Sequence, residues 1–426
     1  MIIHVVRPGD NVFAIAQQYG VPMTDIIEAN ELQDSDQLVV GQALVVPGGT
    51  QRHTVQRGES LYLIAREYGV SLNALFEANP QIEQNGLIYP GQIINIPAPV
   101  SKIGSMEVNG YAFPNINMET LRRTLPYLTY LSIFSYEVRP DGSLSNVNAQ
   151  PMIEAARNAN VAPLMVITNI EEGGSFSSDL ARTILTNEQV RETLLDNIVE
   201  TLQNENYYGL DIDFEYIYPE DREAYNDFLR RAKQKLGPLG YTVTTALAPK
   251  ISATQQGLLY EAHDYPVHGE LADHVILMTY EWGYTYGPPL PVAPINEVRR
   301  VLDYAVTAIP SQKILMGIPN YGYDWTLPYE PGTAAQPLSH TAAVNRAGQV
   351  GAAIQYDQTA QSPYYNYYDN NGRQHIVWFE DARSIEAKLR LVNEYDLGGV
   401  SYWTIGNYFP QNWQVLNSMY DVEKVL

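Results

Sequence analysis

The chain has 426 residues, and its 48 acidic residues against 26 lysines and arginines give a formal charge of -22, with no cysteine. That balance excludes a phosphate-binding footprint for nucleic acid, and the lack of cysteine excludes disulfides, thiol catalysis and thiolate metal sites. No stretch approaches the roughly 20 apolar residues of a bilayer span, the opening MIIHVVRPGD lacks the basic and apolar regions of a secretory signal, and 32 tyrosines suit an uncharged partner such as carbohydrate.

The chain opens on a repeat. HVVRPGDNVFAIAQQYGV from His4 returns as HTVQRGESLYLIAREYGV from His53. Each copy starts with a β-prone run, followed by a helix whose apolar residues keep helical spacing. These are Val12, Ile15, Ala16 and Tyr19 in the first copy and Leu61, Ile64, Ala65 and Tyr68 in the second. Gly20 and Gly69 are expected as left-handed caps. A second short helix then ends at Asn30 or Asn79, residues tolerant of the same geometry, before a closing β run. The predicted order is βααβ, with modules at 2–48 and 51–98. The run PAPVSKIGSM, Pro97 to Met106, predicts a linker at 99–106.

The units resemble the LysM module through V-x-x-G-[DE], the mid-unit E-A-N and the closing G-Q-x-[LI]-x-[VI]-P, present in both copies. The resemblance implies binding of glycans that contain N-acetylglucosamine.

From residue 107 onward, short apolar runs near residues 108, 127, 162, 207, 241, 274, 313 and 398 alternate with helical stretches such as NEQVRETLLDNIVETLQNE. Eight βα units predict a (β/α)8 barrel, an α/β fold spanning 107–426. A doubly wound open sheet is the alternative, but no glycine-rich phosphate loop follows the first strand. The surplus at 326–380, between strands 7 and 8, predicts a small α+β subdomain inserted over one rim.

The fourth strand candidate, GLDIDFEYI, carries Asp211, Asp213 and Glu215 at every second position. Strand side chains alternate between faces, so the three carboxyls point one way and form a line from core to mouth, with Glu215 at the rim. Crowded like charges cannot all ionise. The expected outcome is a proton shared by Asp211 and Asp213, with Glu215 kept neutral by its acidic neighbour and able to act as a proton donor. No inward arginine or lysine is visible to neutralise the line. Histidines are scattered, without metal-ligand spacing, so neither a metal nor another cofactor is expected.

This stretch resembles the D-x-x-D-x-D-x-E signature of glycoside hydrolase family 18, the chitinase-like barrels, with Tyr208 in place of the first acid. LMTYEW puts Tyr280 at the tyrosine of the family's M-x-Y-D motif, with Glu281 replacing the aspartate, and GGVSYWTIG puts Trp403 at the family's tryptophan. The resemblance implies retaining, substrate-assisted hydrolysis. Glu215 would protonate the leaving oxygen and later activate water. Asp213 would orient the substrate's N-acetyl group, Tyr280 would donate to that acetamide, and Trp403 would floor the sugar. Asn320, Tyr321 and Tyr323 are candidates for the cleft wall.

Two such modules ahead of such a barrel resemble the cortex-lytic and germination hydrolases of spore-forming bacteria. This implies an N-acetylglucosaminidase acting on peptidoglycan in the spore or cell wall, as a monomer. Cleavage of chitin or its oligomers is one alternative, and a non-catalytic glycan receptor is another.

Overall fold

The computed structural model describes residues 1–32, 37–82, 85–97, 102–171 and 173–426, so residues 99–101 of the expected linker lie outside the described residues. Two compact units divide the chain. One comprises Met1–Ser105, Gly322–Ala387 and Phe409–Asp421; the other comprises Met106–Tyr321, Lys388–Tyr408 and Val422–Leu426. No helix among the described residues is long and apolar enough to cross a membrane.

Both modules are βααβ. The first is β1 (Ile2–Val5), α1 (Val12–Tyr19), α2 (Met23–Asn30) and β2 (Ala43–Val46); the second is β3 (Thr50–Thr54), α3 (Leu61–Tyr68), α4 (Leu72–Ala78) and β4 (Ile93–Pro97). In each, the two strands pair antiparallel and the predicted helix face fills the core. Asn11 and Ser60 cap the first helices by accepting from Ala14 and Leu63 N–H, and Gly20 and Gly69 end them at φ 67° and 64°.

The asparagines behave differently from expectation. The left-handed residue after α2 is Glu31, at φ 47°, and Asn79 sits at φ -136°. Their side chains instead sew helix to strand. Asn30 Nδ2 donates to Ile26 O and Val45 O, and its Oδ1 accepts from Val45 N–H at 2.7 Å. Asn79 makes the same three bonds with Leu75 and Asn95. An amide that both donates and accepts is needed there, which explains the repeated E-A-N better than backbone tolerance does.

The barrel runs in chain order through β5 (Gly104–Ala112), α5 (Met118–Thr124), β6 (Tyr130–Glu137), α6 (Gln150–Asn158) and β7 (Ala162–Thr168). A short hairpin follows, β8 (Ile170–Glu171) with β9 (Ser175–Phe176), then α7 (Ser178–Thr186), α8 (Glu188–Glu205), β10 (Gly209–Asp213) and α9 (Arg222–Leu236). Next come β11 (Thr242–Leu247), α10 (Tyr265–Leu271), β12 (His274–Leu277), α11 (Ile295–Ala308) and β13 (Ile314–Pro319).

The insertion holds β14 (Gly322–Leu327), β15 (Gln336–Leu338), α12 (His340–Val350), β16 (Gln355–Asp357), β17 (Ser362–Tyr368) and β18 (Gln374–Trp378). These strands form an antiparallel sheet in the order β15-β14-β18-β17-β16 that begins at Gly322, four residues before the expected 326. The chain ends with α13 (Ala382–Glu394), β19 (Gly399–Trp403), α14 (Pro410–Met419) and β20 (Tyr420–Val422). Strands β5, β6, β7, β10, β11, β12, β13 and β19 are parallel neighbours, and β19 pairs back with β5, so the sheet closes. Since β5 starts at Gly104, the last part of the expected linker is already strand.

Candidate active site

The acidic line lies inside the barrel. Asp211 and Asp213 are buried on β10, which ends at Asp213; Glu215 follows two residues on and is half-buried. Around them, Tyr111, Phe134, Val166, Ala246, Ile276 and Leu315 from six other strands pack into one apolar layer, with Trp403 against it. Above this layer opens a cavity of about 1280 Å³ lined by Asp213, Glu215, Tyr280, Glu281 and Trp403, among others. That is room for an oligosaccharide rather than one sugar ring.

The backbone at Glu215 is held from both sides. Asn169, one residue past β7, accepts from Glu215 N–H at 2.9 Å and donates to Glu215 O at 2.8 Å. His263 secures the preceding carbonyl: its Nε2 lies 3.0 Å from Phe214 O while its Nδ1 accepts from Ala248 N–H at 2.8 Å. An amide N–H can only donate, so Nδ1 carries no proton and His263 is the neutral Nε2–H tautomer. Burial agrees, pushing its pKa down to about 4. Tyr216 then turns the chain at φ 54°, a left-handed conformation that costs a tyrosine about 1–2 kcal/mol and that the two clamps offset.

All three carboxyls are held toward the neutral form, and burial is the leading cause. Burial raises Asp211 to about 6, opposed by the nearby Tyr111 hydroxyl and by the hydrogen bond from Ser132. Asp213 is pushed well above the ordinary range by burial, then by Glu215 and Asp211. Glu215 rises to about 7 through burial and then the charge of Glu281. Proton retention by Glu215 thus has the expected direction but a different origin, with lost hydration ahead of any neighbouring acid. Ser132 Oγ lies 2.9 Å from Asp211 Oδ2 and 3.0 Å from Asn109 Oδ1. A serine has one proton to give, so a proton on Asp211 lets both contacts form. Among the described residues no ion pair reaches Asp211, Asp213 or Glu215.

Tyr280 is half-buried beside the acids, and desolvation together with their charges holds its hydroxyl protonated and able to donate. Gly317 on β13 makes room for it: a Cβ there would meet Leu277 O at 2.5 Å and Tyr280 Cε1 at 2.8 Å. Trp403 meets Phe134 edge-on at 4.8 Å and also packs on Tyr111 and Phe113, so its ring is fixed in an aromatic box. Glu281 is exposed at the cavity edge, at φ 68°, and accepts from the Tyr321 hydroxyl.

Asn320 and Tyr321 are not among the cavity-lining residues. Asn320 Nδ2 donates to Thr404 O at 2.8 Å and Asn407 O at 2.6 Å, so it braces the turn that follows Trp403 rather than facing the cavity. Tyr323 is buried in β14.

The sequence profile of glycosyl hydrolases family 18 matches residues 111–407, and that of the LysM domain matches residues 4–47 and 53–97. The chain belongs to glycosyl hydrolases family 18. The cortical fragment-lytic enzyme of Bacillus subtilis (strain 168) is 49% identical over 431 residues, covering 100% of this chain and 99% of the relative. The crystal structure of the Bacillus megaterium QM B1551 spore cortex-lytic enzyme SleL is similar at TM-score 0.91 and 42% identity, over 100% of this chain and 99% of that one. A chitinase from Chromobacterium violaceum is similar over 74% of this chain and 98% of its own, at TM-score 0.69 and 25% identity.

Within this family 18 barrel, Tyr208 stands away from the acids, in a cluster with Tyr130, Ala162 and Leu164. The charge at the barrel floor comes from Glu107, which pairs with His274 at 2.9 Å and accepts from Tyr130 at 2.7 Å. Strands β5 and β12 are not neighbours, so this pair crosses the interior, and His274 slightly lowers Asp211.

Tyr111, Phe113, Phe134 and Asn169 were not singled out from sequence. Aromatics at strand ends in VNGYAFP and LSIFSY were a usable signal for the first three; nothing marked Asn169 as a backbone clamp.

The Glu281 charge gives a pH prediction. With Glu215 as the proton donor, kcat is expected to fall as pH rises through about 7. In Glu281→Gln the neighbouring charge is gone, the pKa of Glu215 drops, and the alkaline limb of the kcat profile moves to lower pH. A limb that stays put or moves up would separate Glu281 from the acid.

Proposed function

We propose that this chain hydrolyses the glycan strands of spore cortex peptidoglycan at N-acetylglucosaminyl bonds. The observation that carries the reading is the buried acidic line ending in Glu215 beneath an oligosaccharide-sized cavity with Trp403 in its wall. The names of the relatives above, which are cortical fragment-lytic and spore cortex-lytic enzymes, support the choice of polymer.

Glu215 donates its proton to the glycosidic oxygen as that bond breaks, while the carbonyl oxygen of the substrate's own acetamide attacks the anomeric carbon from the opposite side. Asp213 and Tyr280 hold the acetamide, the carboxyl at its N–H and the phenol at its oxygen. Glu215, now ionised, takes a proton from a water that opens the cyclic intermediate with net retention, so no enzyme nucleophile is needed, unlike the two-carboxylate scheme. The sugar on the non-reducing side of the cut must carry an N-acetyl group, which muramic lactam lacks. The protein works as a monomer in the spore or its wall.

Product analysis tests the reading. Incubated with cortex fragments, the protein should release muropeptides with N-acetylglucosamine at the new reducing end, visible by mass spectrometry. Release from chitin oligomers alone would transfer the activity to chitin, and binding without release from either polymer would make the chain a receptor.

A further inference from the structure

The two modules share a fold but differ on the face beside the closing strand. In the first, the segment before the closing strand is covered. Val39 is 8% exposed and packs with Leu338, Ala347, Ile354 and Val377 of the inserted subdomain. Ile354 N–H donates to Val40 O at 2.8 Å, Arg383 donates to Gly41 O at 3.2 Å, and Gln411 donates to Asn30 Oδ1 at 2.8 Å and Ala43 O at 2.9 Å. The fit leaves no slack: a Cβ on Gly41 would lie 1.8 Å from Ile354 O.

Aligned on Gly41 and Gly91, the same segment of the second module is open. Tyr89 replaces Val39 and is 62% exposed, Ile93 replaces Ala43 and is 55% exposed, and Leu87 replaces Gln37 and is 58% exposed. Among the described residues, nothing lies within 4 Å of where a Cβ on Gly91 would be. Asn79 Oδ1, whose counterpart takes its extra bond from Gln411, takes it from Gln81 of its own module at 3.2 Å.

We infer that the repeat has split into two jobs. The first module is a fixed brace for the inserted subdomain, and the second alone holds the glycan, through the face carrying Leu87, Tyr89 and Ile93. The face is shown to be a docking surface by its use in the first copy, where the partner brings a backbone N–H and apolar side chains. In the second copy an exposed tyrosine flanked by aliphatic groups suits the apolar faces and hydroxyls of an uncharged N-acetylated sugar chain, and the strongly acidic protein disfavours an anionic partner. This deepens the function proposed above and rests on it. Tandem modules would ordinarily multiply affinity; here one module is committed, so binding to the polymer is monovalent outside the cleft.

The test uses the full chain carrying Glu215→Gln, sedimented with insoluble peptidoglycan sacculi. Failure of this parent to bind sacculi would count against the polymer assignment itself. Given that it binds, Tyr89→Ala should weaken binding about tenfold with an unchanged melting temperature, as truncation of an exposed aromatic anchor does. Phe13→Ala, which removes a 62% exposed side chain from the first module, should bind as the parent does. Val39→Ala should lower the melting temperature and leave binding intact. Equal weakening by Phe13→Ala and Tyr89→Ala would overturn the division of labour. So would unchanged binding in Tyr89→Ala, and if that variant also dissociated a dimer in size-exclusion chromatography, the face would belong to a second copy instead.

Discussion

Glu215→Gln should retain the fold and glycan binding while hydrolysis of cortex fragments falls by ~10²- to 10⁴-fold, the range for loss of a positioned acid. The substitution keeps size and polarity but removes the transferable proton. The contacts that set the turn go to the Glu215 and Phe214 backbone, from Asn169 and His263, so the change of side chain leaves them in place. The result is read as single-turnover release of soluble fragments, with sacculus sedimentation as the control. Turnover within a few-fold of the unmodified protein would move the acid elsewhere.

On the substrate-assisted route proposed above, Asp213→Asn should cost ~10²- to 10³-fold in kcat with KM within a few-fold, because that route has the carboxyl stabilise charge on the acetamide that develops only as the ring closes. An amide in its place still fills the space between Asp211 and Glu215 but cannot follow the positive charge of an oxazolinium ion. Steady-state rates on an N-acetylated oligosaccharide measure the effect. A rise confined to KM would make Asp213 a binding group and leave the substrate-assisted route unsupported.

Much of this site could be read from nine residues. Alternation in GLDIDFEYI put three carboxyls on one side, closure of the sheet made that side the interior, and the repeat from His4 and His53 was visible before any fold was assigned. What sequence could not supply was three-dimensional. The dominance of burial over charge crowding at Glu215 depends on how much water the surrounding strands remove. The clamp at Asn169 joins residues 46 apart in the chain, and the bracing role of Asn320 depends on carbonyls of the turn after β19. Asn30 and Asn79 show the same limit: their repetition was evident, but a side chain that links helix to strand looks, in sequence, like a helix cap.

The neutral His263 that secures the turn at Glu215 has a wider effect when taken with buried His268. Their folded pKa values, about 4 and about 3, lie below the free value of 6.5. Between these values the unfolded chain binds protons that the folded one refuses, so the histidines make the fold weaker on acidification. The raised carboxyls do the reverse: folded Asp211 and Glu215, at about 6 and about 7, keep protons that the unfolded chain releases, so they make it weaker on alkalinisation over much the same interval. The two histidines therefore oppose the carboxyls over the interval they share, while Asp213, raised in the same direction as its neighbours, adds to the loss on alkalinisation. The reluctant acid at the barrel's centre thus ties the fold to the protonated side of its own titration, and the histidines behind the turn limit how far acidification can favour the folded chain.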